Sequence, residues 1–185
     1  MPMYLALLRG INVGGRNKVA MADLRQLAES LGHADVATYI QSGNLVFTSP
    51  GADTAALADA LEQEIAQRLG VKSEVVVLSK AELARAIADN PFPDEPDPRR
   101  VHAVFRQDER SPEAVRAVAA LQQKSRDAGS ADEAVIVGRT LFLHTPDGYG
   151  RSDLAAQLFR SSARAAGTAR NWATVTKLMA MLDAG

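Results

Sequence analysis

A chain of 185 residues with 46% hydrophobic content holds enough apolar material for one generous packed body or two small ones in close contact. Its formal net charge of −1 argues against broad, non-specific attraction to nucleic acid or anionic membrane, and its 0 cysteines exclude disulfides, thiolate catalysis and cysteine-bound zinc. No signal peptide opens the sequence and no run approaches the ~20 apolar residues of a membrane span, so a soluble cytoplasmic protein is expected.

The opening stretch Tyr4–Lys18 runs through Tyr4, Leu5, Ala6, Leu7 and Leu8 without a polar break, then meets Arg9 and a loop holding Gly10, Gly14 and Gly15. An apolar run closed by glycines predicts a buried strand, and the amphipathic pattern from Met21 to Leu31 predicts the helix after it. Val36–Ile40 and Leu45–Thr48 read as strands joined at Gln41-Ser42-Gly43-Asn44, since Ser-Gly and Gly-Asn between β-rich runs are hairpin chemistry. Asp53 caps a helix to Leu69, in which Leu57, Leu61, Ile65 and Leu69 share a face, and Gly70 ends it. Glu74–Leu78 is a further strand, and Ser79 caps a helix beyond it. The order βαββαβ is the split ferredoxin-like unit.

Asn90–Arg100 holds four prolines and three acids and breaks any regular element, so it predicts a solvated linker. Beyond it the pattern repeats. Val101–Arg106 is a strand; Ser111-Pro112 opens a helix to about Lys124; Glu133–Val137 and Leu141–Thr145 make a hairpin about Gly138-Arg139. Ser152 caps a helix through Ala165, Gly167–Arg170 is a last short strand, and Asn171 caps the final helix. YLALLR (4–9) aligns with VHAVFR (101–106), Ala on Ala and Arg on Arg, although the duplication rests mainly on element order. Both of these strands are apolar at nearly every position, so each must be covered on two faces. The expected fold is α+β: two tandem ferredoxin-like halves, residues 1–90 and 101–185, each followed by an extra helix, with the acidic linker 91–100 between them, packed as one compact unit.

Five blocks carry a family resemblance: ALLRGINVGGRNKVAMADLR (6–25), YIQSGNLVF (39–47), NPF (90–92), FLHTPDGYGRSDL (142–154) and RNWATVTKL (170–178). Through them the chain resembles domain-of-unknown-function family 1697, a bacterial family. The resemblance implies a two-part α/β protein of ferredoxin-like halves and brings no activity with it. It also marks two departures, Asp153 where family members often have Lys and Ala173 where they have Asn. If the family holds an anion near the Gly-Arg-Ser turn, the first departure weakens that site here.

Two basic clusters stand out. Topology should bring the Gly10–Lys18 loop beside the Gln41–Asn44 turn, gathering Arg9, Asn12, Asn17, Lys18, Gln41, Ser42 and Asn44. That set offers cations and donors but no acid or base of its own, so it suits binding better than catalysis. A glycine-rich basic loop between strand and helix is an anion cradle, because backbone N–H groups and a helix N-terminus both favour negative charge. It is no known nucleotide fingerprint: Gly10 and Gly15 have P-loop spacing, but Arg16 and Asn17 follow. The plainer reading of the same residues is an internal network that fixes the turns.

The second cluster is Arg151, Ser152, Arg170, Asn171, Trp172 and Lys177. Ser152 and Asn171 are explained as N-caps, and Trp172 extends the apolar stripe of Val175, Leu178 and Leu182 as a core anchor. No metal or cofactor is expected. His33 follows Gly32 and is read as solvent-facing; His102 and His144 fall on neighbouring strands, where a facing pair would still lack a third ligand. Ser42 has no nucleophile elbow. The leading expectation is therefore a small anionic or phosphate-bearing ligand, with Arg9, Lys18, Arg151 and Arg170 supplying charge and Asn12, Gln41, Asn44 and Asn171 orienting it. A protein-interaction module with no small ligand is the alternative. Single-stranded RNA on a ferredoxin-like sheet comes third, since only Tyr4 and Phe47 in the first half could stack bases. The sequence names no reaction.

Overall fold

A computed structural model describes residues 1–161 and 167–185. It contains two four-stranded antiparallel sheets of identical topology, orders β2-β3-β1-β4 and β6-β7-β5-β8. The elements of the first are β1 (Met3–Leu8), α1 (Met21–Ser30), β2 (Ala34–Tyr39), β3 (Asn44–Thr48), α2 (Thr54–Leu69), β4 (Val75–Ser79) and the extra helix α3 (Lys80–Ala88). The second comprises β5 (Val101–Phe105), α4 (Pro112–Asp127), β6 (Glu133–Val137), β7 (Thr140–His144), α5 (Asp153–Ser161), β8 (Thr168–Asn171) and α6 (Trp172–Ala184). Both halves are ferredoxin-like, and the fold is α+β. The C-terminal end expected for the helix after Ser152, up to Ala165, lies outside the described residues.

By internal contact the chain divides into Met1–Arg85 with Lys177–Gly185, and Ala86–Thr176. In the first unit, Tyr4, Ala6 and Leu8 of β1 face α1 and α2 together with Leu45, Phe47, Val75 and Val77. The helices answer with Leu24, Leu27 and Ala28 of α1 and Leu57, Leu61 and Ile65 of α2, the spacing that a 3.6-residue repeat places on one face. Leu5 and Leu7, on the opposite face of β1, are as fully buried, so the unbroken apolar run reflects cover on both sides. Each fully buried leucine contributes about 1.5–3 kcal/mol.

Caps fall where the sequence places them. Asp53 accepts from the amides of Ala55 and Ala56, and Gly70 closes α2 in the left-handed conformation at φ 66°. Ser79 and Glu82 form a reciprocal capping box, with Ser79 N–H donating to Glu82 Oε2 at 2.8 Å and Glu82 N–H to Ser79 Oγ at 3.2 Å. Ser111 accepts from Ala114 N–H with Pro112 behind it. α1 is the exception. Its N-cap is Ala20, whose side chain caps nothing.

The second unit packs Val104, Leu141 and Leu143 against Leu154, Ala155 and Leu158. Most of Asn90–Arg100 is exposed, but the segment is pinned at two points. Phe92 stacks on His144 at 4.9 Å between ring centroids, and Glu95 Oε2 lies 2.7 Å from His144 Nε2. An aromatic and a well-placed carboxylate outweigh the prolines, which stiffen the segment without freeing it. The hydrogen bond from His144 holds the Glu95 carboxyl below its ordinary value.

All three histidines depart from the expected roles. His33 is buried rather than solvent-facing, because Gly32 at φ 87° turns the chain back and sets the ring on Phe47 at 4.5 Å. His102 and His144 are no facing pair. The register sets His102 opposite Leu143 and His144 opposite Val101, so the two rings leave opposite faces of the sheet. Among the described residues no group of three potential ligands could hold a metal ion.

His102 stacks on Tyr149 at 4.2 Å, and its Nδ1 is buried with no hydrogen-bond partner among the described residues. Burial pushes its pKa down from 6.5 to about 4, so the folded ring is neutral while the unfolded one still takes up a proton. The stability attached to neutral His102 is complete above pH 6.5 and is lost as pH falls towards 4, on the order of 3 kcal/mol in all. Thermal melts should therefore fall steeply over that window, and His102→Phe, which keeps the stack on Tyr149, should flatten the curve. A mutant that reproduces the wild-type slope would place the acid lability elsewhere.

Candidate functional site

The loop after β1 is built from left-handed residues. Gly10 (φ 65°), Asn12 (φ 53°), Gly14 (φ 58°), Gly15 (φ 74°) and Asn17 (φ 50°) all have positive φ. Glycine and, next to it, asparagine tolerate that conformation best, which accounts for the composition of the stretch. Arg16 N–H donates to Val13 O at 3.0 Å, closing a tight turn whose two central glycines both have positive φ.

Asn12 fixes the loop to its surroundings. Its Nδ2 donates to Val19 O at 2.9 Å and to Gln41 O at 2.7 Å, and its Oδ1 accepts from Val19 N–H at 2.9 Å. Asn17 Nδ2 donates to Gly10 O, and Asn44 Nδ2 donates to Tyr39 O and to Ser42 Oγ. The loop and the β2–β3 turn thus lie side by side, as the topology requires. The three asparagines hold the two turns in shape, and Asn44 is wholly buried.

Gly43 sets how closely the turns approach. At φ 86°, a Cβ there would stand 2.7 Å from both Ile11 Cδ1 and Leu8 Cβ, inside hard contact. Leu8 N–H donates to Gly43 O at 2.8 Å across the same junction.

Around this junction Asn12, Gly15, Lys18, Val19, Ala20 and Gln41 line an open hollow of about 500 Å³. Lys18 is exposed on its wall and forms no ion pair with a described residue; exposed Arg16, two positions away, forms none either. The amides of Gly14, Gly15 and Lys18 make no hydrogen bond with any described residue. Ala20, also on the wall, is where α1 begins without a side-chain cap. That absent cap is the feature sequence reading passed over; the signal was an Ala at a position that usually takes Ser, Thr, Asp or Asn.

The cations expected to supply charge have unlike settings. Arg9 Nη1 sits 3.4 Å from Glu74 Oε2, with its backbone tied to Ser73 and Glu74, which anchors it to β4. Arg170 is buried, donates to Ala169 O at 2.9 Å, and has its pKa lowered to about 10 by desolvation. Arg151 is exposed, at the end of a 3-10 turn, Tyr149–Arg151. Ser152 Oγ accepts from Ala155 N–H and Asn171 Oδ1 from Thr174 N–H, both at 2.9 Å, so each caps its helix. Trp172 is half-buried, 6.3 Å from Phe142, and Lys177 is exposed on α6. Tyr4 and Phe47 are buried beneath α1 and α2, their rings 5.9 Å apart, and offer no face to a base.

Comparison with known proteins returns the same outline. The family model described as "Protein of unknown function (DUF1697)" matches residues 1–142. No curated protein matches the chain. Among solved structures, the conserved bacterial protein SP0830 from Streptococcus pneumoniae is 29% identical, with a TM-score of 0.75 over 98% of each chain.

Two substitutions test how the site is held. Asn12→Gly keeps the left-handed conformation but removes three hydrogen bonds, and should cost about 1–3 kcal/mol in urea unfolding while exposing the loop to proteolysis. Gly43→Ala should cost at least as much, since strain and overlap add. A Gly43→Ala protein as stable as wild type would mean that the junction is looser than the distances imply.

Proposed function

The chain belongs to the DUF1697 family, and we propose that its opening loop binds a small anionic or phosphate-bearing ligand in the hollow beside the uncapped start of α1. The observation that carries this reading is the coincidence of Ala20 and Lys18 on one wall. The first-turn amides of a helix carry about half a positive charge between them, and a side-chain cap normally satisfies part of that demand. At α1 an incoming anion would take the place of the cap. Lys18 supplies a full charge, and the amide of Gly15, which makes no hydrogen bond with a described residue, adds a donor in the wall. The roles of Asn12 and Asn44 are then to hold the cradle, not to touch the ligand.

The site is open, so an exposed portion of a larger ligand fits it better than a fully enclosed small one. Lys18 works there as a point charge on a flexible stem, suited to phosphate or carboxylate alike. Arg9 contributes by fixing the end of β1 through Glu74 and Ser73.

The reading predicts an exchange of binding for stability at one position. Ala20 already has the extended backbone of an N-cap, φ −71° and ψ 135°. Ala20→Asp should therefore raise stability by about 1 kcal/mol, because the new carboxylate caps α1 itself. It should at the same time abolish the response to anions. In a thermal-shift screen of phosphate, nucleotides and sugar phosphates, a ligand at a hundred times its dissociation constant adds about 2.7 kcal/mol to wild type. That increment should disappear in Ala20→Asp and shrink in Lys18→Ala. A shift that survives both substitutions would put the anion elsewhere, and no shift with any probe would favour the protein-interaction reading.

A further inference from the structure

We infer that two copies of this chain join at the open edge of the second sheet, β6 of one pairing antiparallel with β6 of the other about a two-fold axis at Ile136. β2 and β6 hold the same outer place in their sheets, each bonded to one neighbouring strand. The two edges differ. The register of β2 on β3 shifts between Ala34 and Ala37, and Asp35 within that shift stands at φ 51° with its carboxylate accepting from Thr48 Oγ1 at 3.0 Å. A bulge carrying an acid keeps further strands from adding. β6 has no such guard. Its register on β7 is unbroken from Glu133 to Val137, and Ala134-Val135-Ile136-Val137 holds neither charge nor proline.

The groups that β6 can offer follow from the alternation of a strand. Val137 and Thr140 close the hairpin around Gly138-Arg139, so Val137, Val135 and Glu133 turn their N–H and C=O towards β7. Ala134 and Ile136 turn theirs outward. Part of that outward row is already taken: the side-chain amide of Gln122 accepts from Ala134 N–H and donates to Asp132 O at 2.9 Å. Beyond the ladder with β7, no hydrogen bond to a described residue is made by Ile136 N–H or C=O, Ala134 C=O or Gly138 N–H. Gln122 thereby sets the register. With Ala134 N–H occupied, the pair that a second β6 can complete in full is Ile136 with Ile136, each donating to and accepting from the other. The same alignment brings Gly138 N–H of each copy to Ala134 C=O of the other.

The side chains favour a second copy over an unrelated peptide. Val135 of each copy falls opposite Val137 of the other, apolar on apolar, in the non-hydrogen-bonded pairs where side chains approach most closely. Glu133 is exposed and forms no ion pair with a described residue. It comes to the Gly138-Arg139 turn of the other copy, where Arg139 is fixed by donating to Gln107 O at 2.6 Å. The two-fold axis repeats this acid-on-base contact at both ends of the seam. The surface belongs to the second unit and is independent of the anion cradle on the opening loop.

The test uses the full chain from micromolar to millimolar concentration. Sedimentation velocity should show a monomer–dimer equilibrium that weakens as salt is raised. Amide hydrogen exchange at Ile136 and Gly138 should slow as concentration rises, while exchange at Ala134, whose N–H is held by Gln122, stays constant. Glu133→Arg, at an exposed position, should weaken the dimer several-fold with no change in circular dichroism. Val137→Lys, which sets a cation against Val135 of the other copy twice, should give monomer, and adding Val135→Glu should restore the dimer. A dimer that leaves the Ile136 and Gly138 amides exchanging freely, or that ignores Glu133→Arg and Val137→Lys, would overturn the proposal by placing the contact on another surface. A chain that stays monomeric at millimolar concentration with both amides unprotected would overturn it too, and leave the edge to an extended segment of a different protein.

Discussion

Everything in the first unit is referred to β1. It is the inner strand that pairs with both β3 and β4, and from Tyr4 to Leu8 it is buried on each face. Apart from the Tyr4 hydroxyl its side chains from Tyr4 to Leu8 are apolar, and the first charged group after them leaves the sheet altogether. Arg9 does so by tying its backbone to Ser73 and Glu74 and its side chain to Glu74. The loop that follows then has to reach α1 over a hydrophobic edge, with Ile11 and Val19 buried beneath it. Left-handed glycines and asparagines are the chemical means of making that path in so few residues. The open hollow and the uncapped start of α1 lie at the end of that same path.

The second unit solves the same topological problem with different materials. β5 ends in Phe105 without a glycine-rich loop after it, and the chain reaches α4 through Ser111 and Pro112. The duplicated fold therefore does not imply a duplicated site. Matching Arg9 with Arg106 by sequence aligns two strand ends, but it carries no chemistry from one unit to the other.

The backbone plan was open to sequence reading because it rests on short-range rules. Asp53, Ser79, Ser111 and Asn171 announce their helices by residue type, and the alternation of apolar runs with turn residues yields eight strands in the right order. What escaped depends on three-dimensional closeness. Nothing local distinguishes the buried His33 from a surface histidine after a glycine; its environment is Phe47, a strand away. The positions of His102 and His144 on opposite faces hinge on a one-residue register that turn length alone does not fix. Arg170 looked like a ligand cation because its charge is visible in sequence and its burial is not.

The path of α6 has a consequence for how the protein is made. Its first turn counts with the second unit and its remainder, from Lys177, with the first, where Asp183 lies 3.0 Å from Lys80. A ribosome delivers residues in order, and domains commonly fold as they emerge. Here the unit that emerges first is the one completed last, because its final segment is translated only after the whole of the second unit. Until then the first unit, with all four of its strands already translated, lacks the segment from Lys177 that completes it.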